Sequence, residues 1–255
     1  MRIGLIGFGF IGAELYRRIA ADPGPGQVVF IHNRTSSRLA AIPTGLVLDD
    51  LAGAVDFAPD LIVEAAGPDV TRQHGAAFLA VADYLPLSLT ALADDVLYDR
   101  LRDTAAQSGR SLLIAHGALV GLDSLIEWRE MWDDVTITFR KPPASLGQGA
   151  PHPERESLLF DGSVRDAAVR YPNNVNAMVA CALATIGLDR CRARLIADPA
   201  IHHLELAVET RGRDGSQLSI QRRQPAVGVS GSEMAAAAYR SILRAGGLSR
   251  PVEFL

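Results

Sequence analysis

The sequence predicts an α/β protein: a parallel sheet wrapped by crossover helices, then a smaller α+β part built on an open mixed or antiparallel sheet. Three observations predict it. Short β-like runs alternate with amphipathic helices up to Ala115, the pattern of a parallel sheet. After His116 the strands alternate apolar and polar residues, as at Val135–Arg140, which suits half-solvated antiparallel strands. A glycine triplet, Gly7-Phe8-Gly9-Phe10-Ile11-Gly12, joins the first strand to the first helix.

Arg2–Ile6 is an apolar strand, and Phe10–Ala21 carries Ile11, Leu15 and Ile19 on one helical face. Val28–His32 is the second strand, Ser36–Ala41 a short helix, and Leu46–Leu48 a third strand. Leu61–Glu64 leads into a helix over Val70–Ala80. Tyr84–Leu89 is the next strand, made irregular by Pro86, followed by a helix at Asp94–Ser108 and a sixth strand at Ser111–Ala115. Leu122–Met131 reads as helix, and Lys141–Glu154, with four prolines and two glycines, as loop. Helices follow at Val164–Tyr171 and Val175–Ile186, then strands at Arg192–Ile196, Leu204–Glu209 and Gln217–Arg222. A Gly-Arg-Asp-Gly turn at Gly212–Gly215 joins the last two. The alanine-rich helix Ser232–Ala245 needs burial for its Met234, Ala238 and Ile242 stripe, which places it back on the first domain. The expected domains are residues 1–118 with 230–255, and residues 119–229.

Of the 255 residues 48% are hydrophobic and 21% charged, enough apolar material for a true core and too much for disorder. A net charge of −4 gives no electrostatic reason to expect nucleic acid or an anionic membrane as partner. No apolar run reaches the about 18–20 residues of a membrane span, and the chain opens directly on a strand pattern, so a cytoplasmic location is expected. Cys181 and Cys191 are too few for a disulfide framework or a zinc site, and no metal is expected.

The triplet fits G-x-G-x-x-G in its proper context, after a strand and at the start of a helix. That is the Rossmann dinucleotide fingerprint: Gly7 for the tight turn, Gly9 for close approach to the pyrophosphate at the helix N-terminus, Gly12 for helix–strand packing. Phe10 and Ile11 belong to the same cradle, and Ala65 and Ala66 after the Leu61–Glu64 strand join the dinucleotide-binding set. At the end of the second strand stands His32-Asn33-Arg34-Thr35, without the acid that commonly holds the adenosine ribose. Asn33 tolerates a phosphate and Arg34 can pair with one, so the cofactor expected is NADP, or NAD with NADP tolerated.

Several further segments together resemble the L-aspartate dehydrogenases that make iminoaspartate. They are Leu92-Ala93-Asp94, Gly117-Ala118-Leu119-Val120-Gly121-Leu122-Asp123, Arg140-Lys141-Pro142-Pro143, Phe160-Asp161-Gly162-Ser163, Tyr171-Pro172-Asn173-Asn174-Val175-Asn176 and Ala197-Asp198-Pro199. The resemblance covers nearly the whole chain. It implies oxidation of L-aspartate, or the reverse reductive amination, with a role in NAD biosynthesis and a homodimeric assembly.

It also implies residue roles. The family's histidine follows Asp-Pro by a few residues, which points to His202 or His203. Imidazole suits proton exchange near neutrality, and adjacent strand residues face opposite ways, so only one can serve. Asn174 and Lys141 are candidate carboxylate holders, although a lysine leading a proline loop reads equally well as solvated. Gly117, Ala118 and Asn176 fall to the dinucleotide. Where the family has other residues before Gly-Ala, this chain has Ala115-His116, which makes His116 a third histidine near the crevice. Two other readings stay open: a related two-domain reductase acting on another small acid or imine, and a non-catalytic NAD(P)-sensing protein.

Overall fold

The computed structural model describes residues 1–247 apart from 23, 25, 118, 148–150, 228, 229 and 232. The chain divides into two compact units, one formed by Met1–Ala115 with the segment from Ala235 on, the other by His116–Met234.

The first unit is a four-stranded parallel sheet in the order β2-β1-β3-β4, with β1 at Arg2–Ile6, β2 at Gln27–His32, β3 at Leu61–Glu64 and β4 at Asp83–Pro86. Helices α1 (Phe10–Ala21), α2 (Pro68–Leu79) and α3 (Asp95–Ser108) form the crossovers. β1 and β3 are buried runs of isoleucine, leucine and valine, as strands covered on both faces must be. Asp94 caps α3 by accepting from the Leu97 N–H at 3.0 Å.

Two expected strands shrink to single bridges. Around Leu46–Leu48 the chain instead makes a 3-10 turn over Thr44–Leu46 and pairs with the sheet through a single bridge, Val47 with Ile31. Along Ser111–Ala115 only Leu112 pairs, with Tyr84. There Tyr84 donates to the Ser111 carbonyl and Leu113 to the Tyr84 carbonyl. The next rung would need an N–H from Pro86, which has none, so the ladder stops. The same proline ends β4 short of Leu89, and Leu89–Ala93 forms a 3-10 turn.

The closing helix, α7 at Met234–Ala245, is part of this unit's core: Ala238, Tyr239 and Ile242 pack with Ile3, Leu5, Leu15 and Ile31. The Tyr239 hydroxyl also donates to Asp22 at 3.1 Å. Ser232, the expected start of this helix, lies outside the described residues.

The second unit carries a six-stranded sheet in the order β10-β9-β8-β5-β7-β6. Its strands are β5 (Trp132–Lys141), β6 (Ser157–Ser163), β7 (Arg192–Ala197), β8 (His203–Gly212), β9 (Gln217–Val227) and β10 (Ser230–Gly231). The β5–β7 pair is parallel and the others antiparallel, so the sheet is mixed. Ile137, Phe139, Lys141, Leu204, Leu206 and Val208 alternate onto a buried face. Helix α6 (Asn176–Ala184), apolar all round, packs on β5, with α4 (Leu122–Glu127) and α5 (Val164–Arg170) beside it. The helix expected over Leu122–Met131 breaks at Trp128, after which Arg129–Met131 is a 3-10 turn. β6 was not foreseen: Asp161 and Gly162 are poor strand formers, and a register shift between Leu158 and Phe160 spoils its alternation.

Candidate active site

The phosphate loop has the geometry its glycines require. Gly7 sits at φ +95°, and a Cβ there would stand 2.5 Å from the Ala65 carbonyl oxygen. A Cβ on Gly12 would stand 1.9 Å from the Gly7 oxygen, so strand and helix touch through bare backbone. Asn33 braces this loop: its Oδ1 accepts from the Phe8 N–H at 2.8 Å, and its Nδ2 donates to the Thr35 carbonyl at 2.9 Å. Among the described residues, the other Nδ2 proton has no acceptor. Phe10 is exposed at the helix start and Ile11 half-buried.

Arg34 is exposed, and so is Arg38 on the 3-10 turn Ser36–Leu39. The Arg38 Nη1 lies 3.8 Å from where a Cβ on Gly9 would be, over the middle glycine of the loop. The sequence reading missed Arg38; the signal was a second arginine one turn beyond Arg34.

At the carboxyl end of β3 stands another residue that sequence reasoning passed over. Glu64 is fully buried, and its Oε1 accepts from the N–H groups of Ala66 and Gly67, both at 2.6 Å, and from the Ser88 hydroxyl at 2.9 Å. Its Oε2 accepts from the Ser88 N–H at 3.1 Å. One carboxyl thus ties the Ala65–Ala66 turn to the exit of β4. Burial raises its pKa, against the opposing pull of these four donors.

In the second unit Gly117 takes φ +53°, and Ala118 lies outside the described residues. His116 Nε2 stands 3.1 Å from Asp123 Oδ1, so the first turn of α4 holds the imidazole.

Lys141 is not a solvated loop residue. It ends β5, is 4% exposed, and its Nζ donates to both the backbone and side-chain carbonyls of Asn174, each at 3.3 Å. The ammonium also lies 5.0 Å from the ring centroid of Phe139. Burial, reinforced by the charge of Arg222, lowers its pKa to about 8. Asn174 is held from the other side by its Nδ2, which donates to the Leu146 carbonyl at 2.9 Å. The cap of α6 is Val175, so neither asparagine spends its side chain as cap, and Asn176 is the first residue of the helix.

The backbone carbonyl of Lys141 accepts from Asp198 N–H at 2.9 Å, and Asp198 Oδ1 accepts from Ala200 N–H at 2.8 Å. This Asp-Pro turn delivers the chain to His202, exposed just before β8, and to His203 at its first position. Lys141, Asn174 and both histidines therefore share one end of the sheet. The two histidines differ. His203 Nε2 is 2.7 Å from Glu205 Oε1, on the face opposite Lys141, whereas His202 precedes the strand. A cavity of about 430 Å³ is lined by Thr138, Arg140, Ile196, Glu205, Arg222 and Arg223 among others, and neither Lys141, Asn174 nor either histidine lines it.

Among the described residues no group of histidine, cysteine and carboxylate side chains could hold a metal ion. No described helix is long and apolar enough to cross a membrane.

Known proteins share this architecture. A family model described as the homoserine dehydrogenase NAD-binding domain matches residues 7–115, and one described as the C-terminal part of aspartate dehydrogenase matches residues 126–245. L-aspartate dehydrogenase 1 of Bordetella pertussis is 36% identical over 204 residues, spanning 78% of each chain. An aspartate dehydrogenase domain-containing protein of Xenopus tropicalis is 34% identical over 95% of this chain and 94% of its own. The crystal structure of Thermotoga maritima aspartate dehydrogenase superposes with a TM-score of 0.78 at 25% identity, covering 100% of this chain and 99% of that one.

Proposed function

Because this chain belongs to the L-aspartate dehydrogenase family, we propose that it oxidises L-aspartate to iminoaspartate, or runs the reverse reductive amination. Its cofactor is NAD or NADP. The observation that carries the substrate assignment is the buried Lys141 ammonium against Asn174, at the sheet end where β8 begins with two histidines.

The loop Gly7–Gly12, with Asn33, Ala65 and Ala66, would hold the dinucleotide, which when bound supplies the acceptor for the hydride leaving Cα. Lys141 and Asn174 would fix the α-carboxylate by a charge-assisted bond in a dry site. His202 would take a proton from the substrate ammonium and later assist the water that attacks the imine carbon. General acid/base help of this kind contributes about 10²–10⁴-fold. His203, bonded to Glu205 on the other face, would not reach the substrate. His116 would border the site, held by Asp123.

NADP preference is part of the same reading. It is supported by Arg38 beside Gly9, by the exposed Arg34 next to Asn33, and by the lack of an acid directly after β2. A homodimer, a cytoplasmic location and a role in NAD biosynthesis complete the proposal. The test is consumption of NADPH, or of NADH in a parallel assay, by the full chain with oxaloacetate plus ammonia. Consumption dependent on both supports the activity; its absence, or equal rates without ammonia, rejects it.

A further inference from the structure

Two residues of β9 share the buried face with Lys141. Arg222 stands opposite Leu206 and Gln224 opposite Leu204 on β8, the positions alternate to His203 and Glu205. The Arg222 side chain is 11% exposed and Gln224 is 9% exposed. Arg222 Nη1 donates to Gln224 Oε1 and to Glu233 Oε1. Beyond that the cluster does not close: among the described residues, Arg222 Nε and Gln224 Nε2 are buried with no acceptor, and Glu233 Oε2 with no donor. Two donors and one acceptor are thus left unmet, and native proteins rarely leave such groups unpaired.

The charges point the same way. Lys141 and Arg222 carry one positive charge each and Glu233 one negative, so the cluster holds a net +1 in a buried setting. The charge of Arg222 is felt at Lys141, where it helps to lower the pKa. An amino acid of net charge −1 neutralises this cluster, whereas a zwitterion of net charge zero leaves it uncompensated. Arg140 and Arg194 also have an unmet Nε, but Arg140 is paired with Glu156, Asp198 and Glu205, which repel an anion. Glu233 is 27% exposed, so the cluster reaches solvent on that side.

We infer that Arg222 Nε and Gln224 Nε2 form the socket for the second carboxylate of the substrate, making this pair the determinant that selects dicarboxylates over monocarboxylates. The assignment rests on the reading that Lys141 and Asn174 hold the first carboxylate. Glu233 keeps the guanidinium aimed by holding Nη1 and does not engage Nε. A carboxylate there accepts both unmet donors at once.

The test is calorimetric titration of the full chain with succinate and with butyrate, a monocarboxylate of equal carbon number. Wild type should bind succinate about 10- to 100-fold more tightly than butyrate, the value of a charge-assisted bond. Arg222→Met and Gln224→Met should lose most of that ratio while binding NADPH as wild type does. Should Arg222→Met not fold, Arg222→Lys, which keeps the charge but lacks the Nε donor, and Gln224→Met carry the test. A succinate-to-butyrate ratio unchanged in these variants, or no succinate binding by wild type, overturns the socket. Succinate binding that needs Arg222 in a chain inert towards L-aspartate would sustain the socket and reject the proposed activity. L-aspartate turnover with binding indifferent to both residues would do the reverse.

Discussion

The Lys141 ammonium, on β5, donates to both carbonyl oxygens of Asn174 on the approach to α6, 33 residues further along the chain. Neutral carbonyls at 3.3 Å compensate a buried cation only in part, which is why its pKa falls rather than rises. An arriving carboxylate supplies what they lack. Lys141→Met should therefore raise the KM for L-aspartate about 10- to 100-fold. NADPH binding and folding should persist, because the methionine removes a desolvated charge from an apolar face. Steady-state kinetics and a urea melt measure both; an unchanged KM would remove Lys141 from the site.

The same pKa sets a pH window. Lys141 is faced by Arg222 from β9, by Glu233 beyond it, and by the Asn174 carbonyls. Only its charged form attracts an anion, so succinate affinity should fall as pH rises through about 8. Stability moves oppositely. The folded-state pKa lies below the ordinary 10.5, so the unfolded chain binds more protons between about 8 and 10.5 and stability should rise across that interval. Lys141→Met should flatten both profiles. Affinity constant through the interval would contradict the assignment.

How much of this was legible in the sequence depended on whether the signal was local. The helix Phe10–Ala21 and the strands Arg2–Ile6 and Leu61–Glu64 stand where their periodicity put them, since glycine spacing and apolar runs act within a few residues. Ser111–Ala115 failed because its pairing depends on a missing N–H at Pro86, which pattern alone does not register. Lys141 read as solvated or binding with equal ease; its burial comes from α6 and β8, distant in sequence. Arg222 and Gln224 were hidden altogether, because a polar residue at every second position of a hairpin looks solvated until its face is known. Glu64 looked like the polar end of an apolar strand, and its four donors come from two separate loops.

Glu64→Gln should show what that carboxyl does. The amide keeps the size but turns an acceptor into a donor facing N–H or O–H groups, a loss of about 1–3 kcal/mol. The urea midpoint should drop accordingly, and NADPH affinity with it, since the Ala65–Ala66 turn is released. A variant as stable as wild type would show that the turn is held by other bonds.

Arg34 and Arg38 together should read the 2′-phosphate. Arg34→Ala and Arg38→Ala should each weaken NADPH by about 10- to 100-fold and leave NADH nearly unchanged. Fluorescence titration with the two cofactors decides it. Equal losses for both would place these arginines on the pyrophosphate instead.

The most direct test of the account is L-aspartate-dependent reduction of NADP, followed side by side in wild type, His202→Ala and His203→Ala. Turnover by wild type, a loss of about 10²–10⁴-fold in His202→Ala and a minor change in His203→Ala is the predicted result. No L-aspartate-dependent reduction by wild type, or equal and small losses in the two variants, would contradict it.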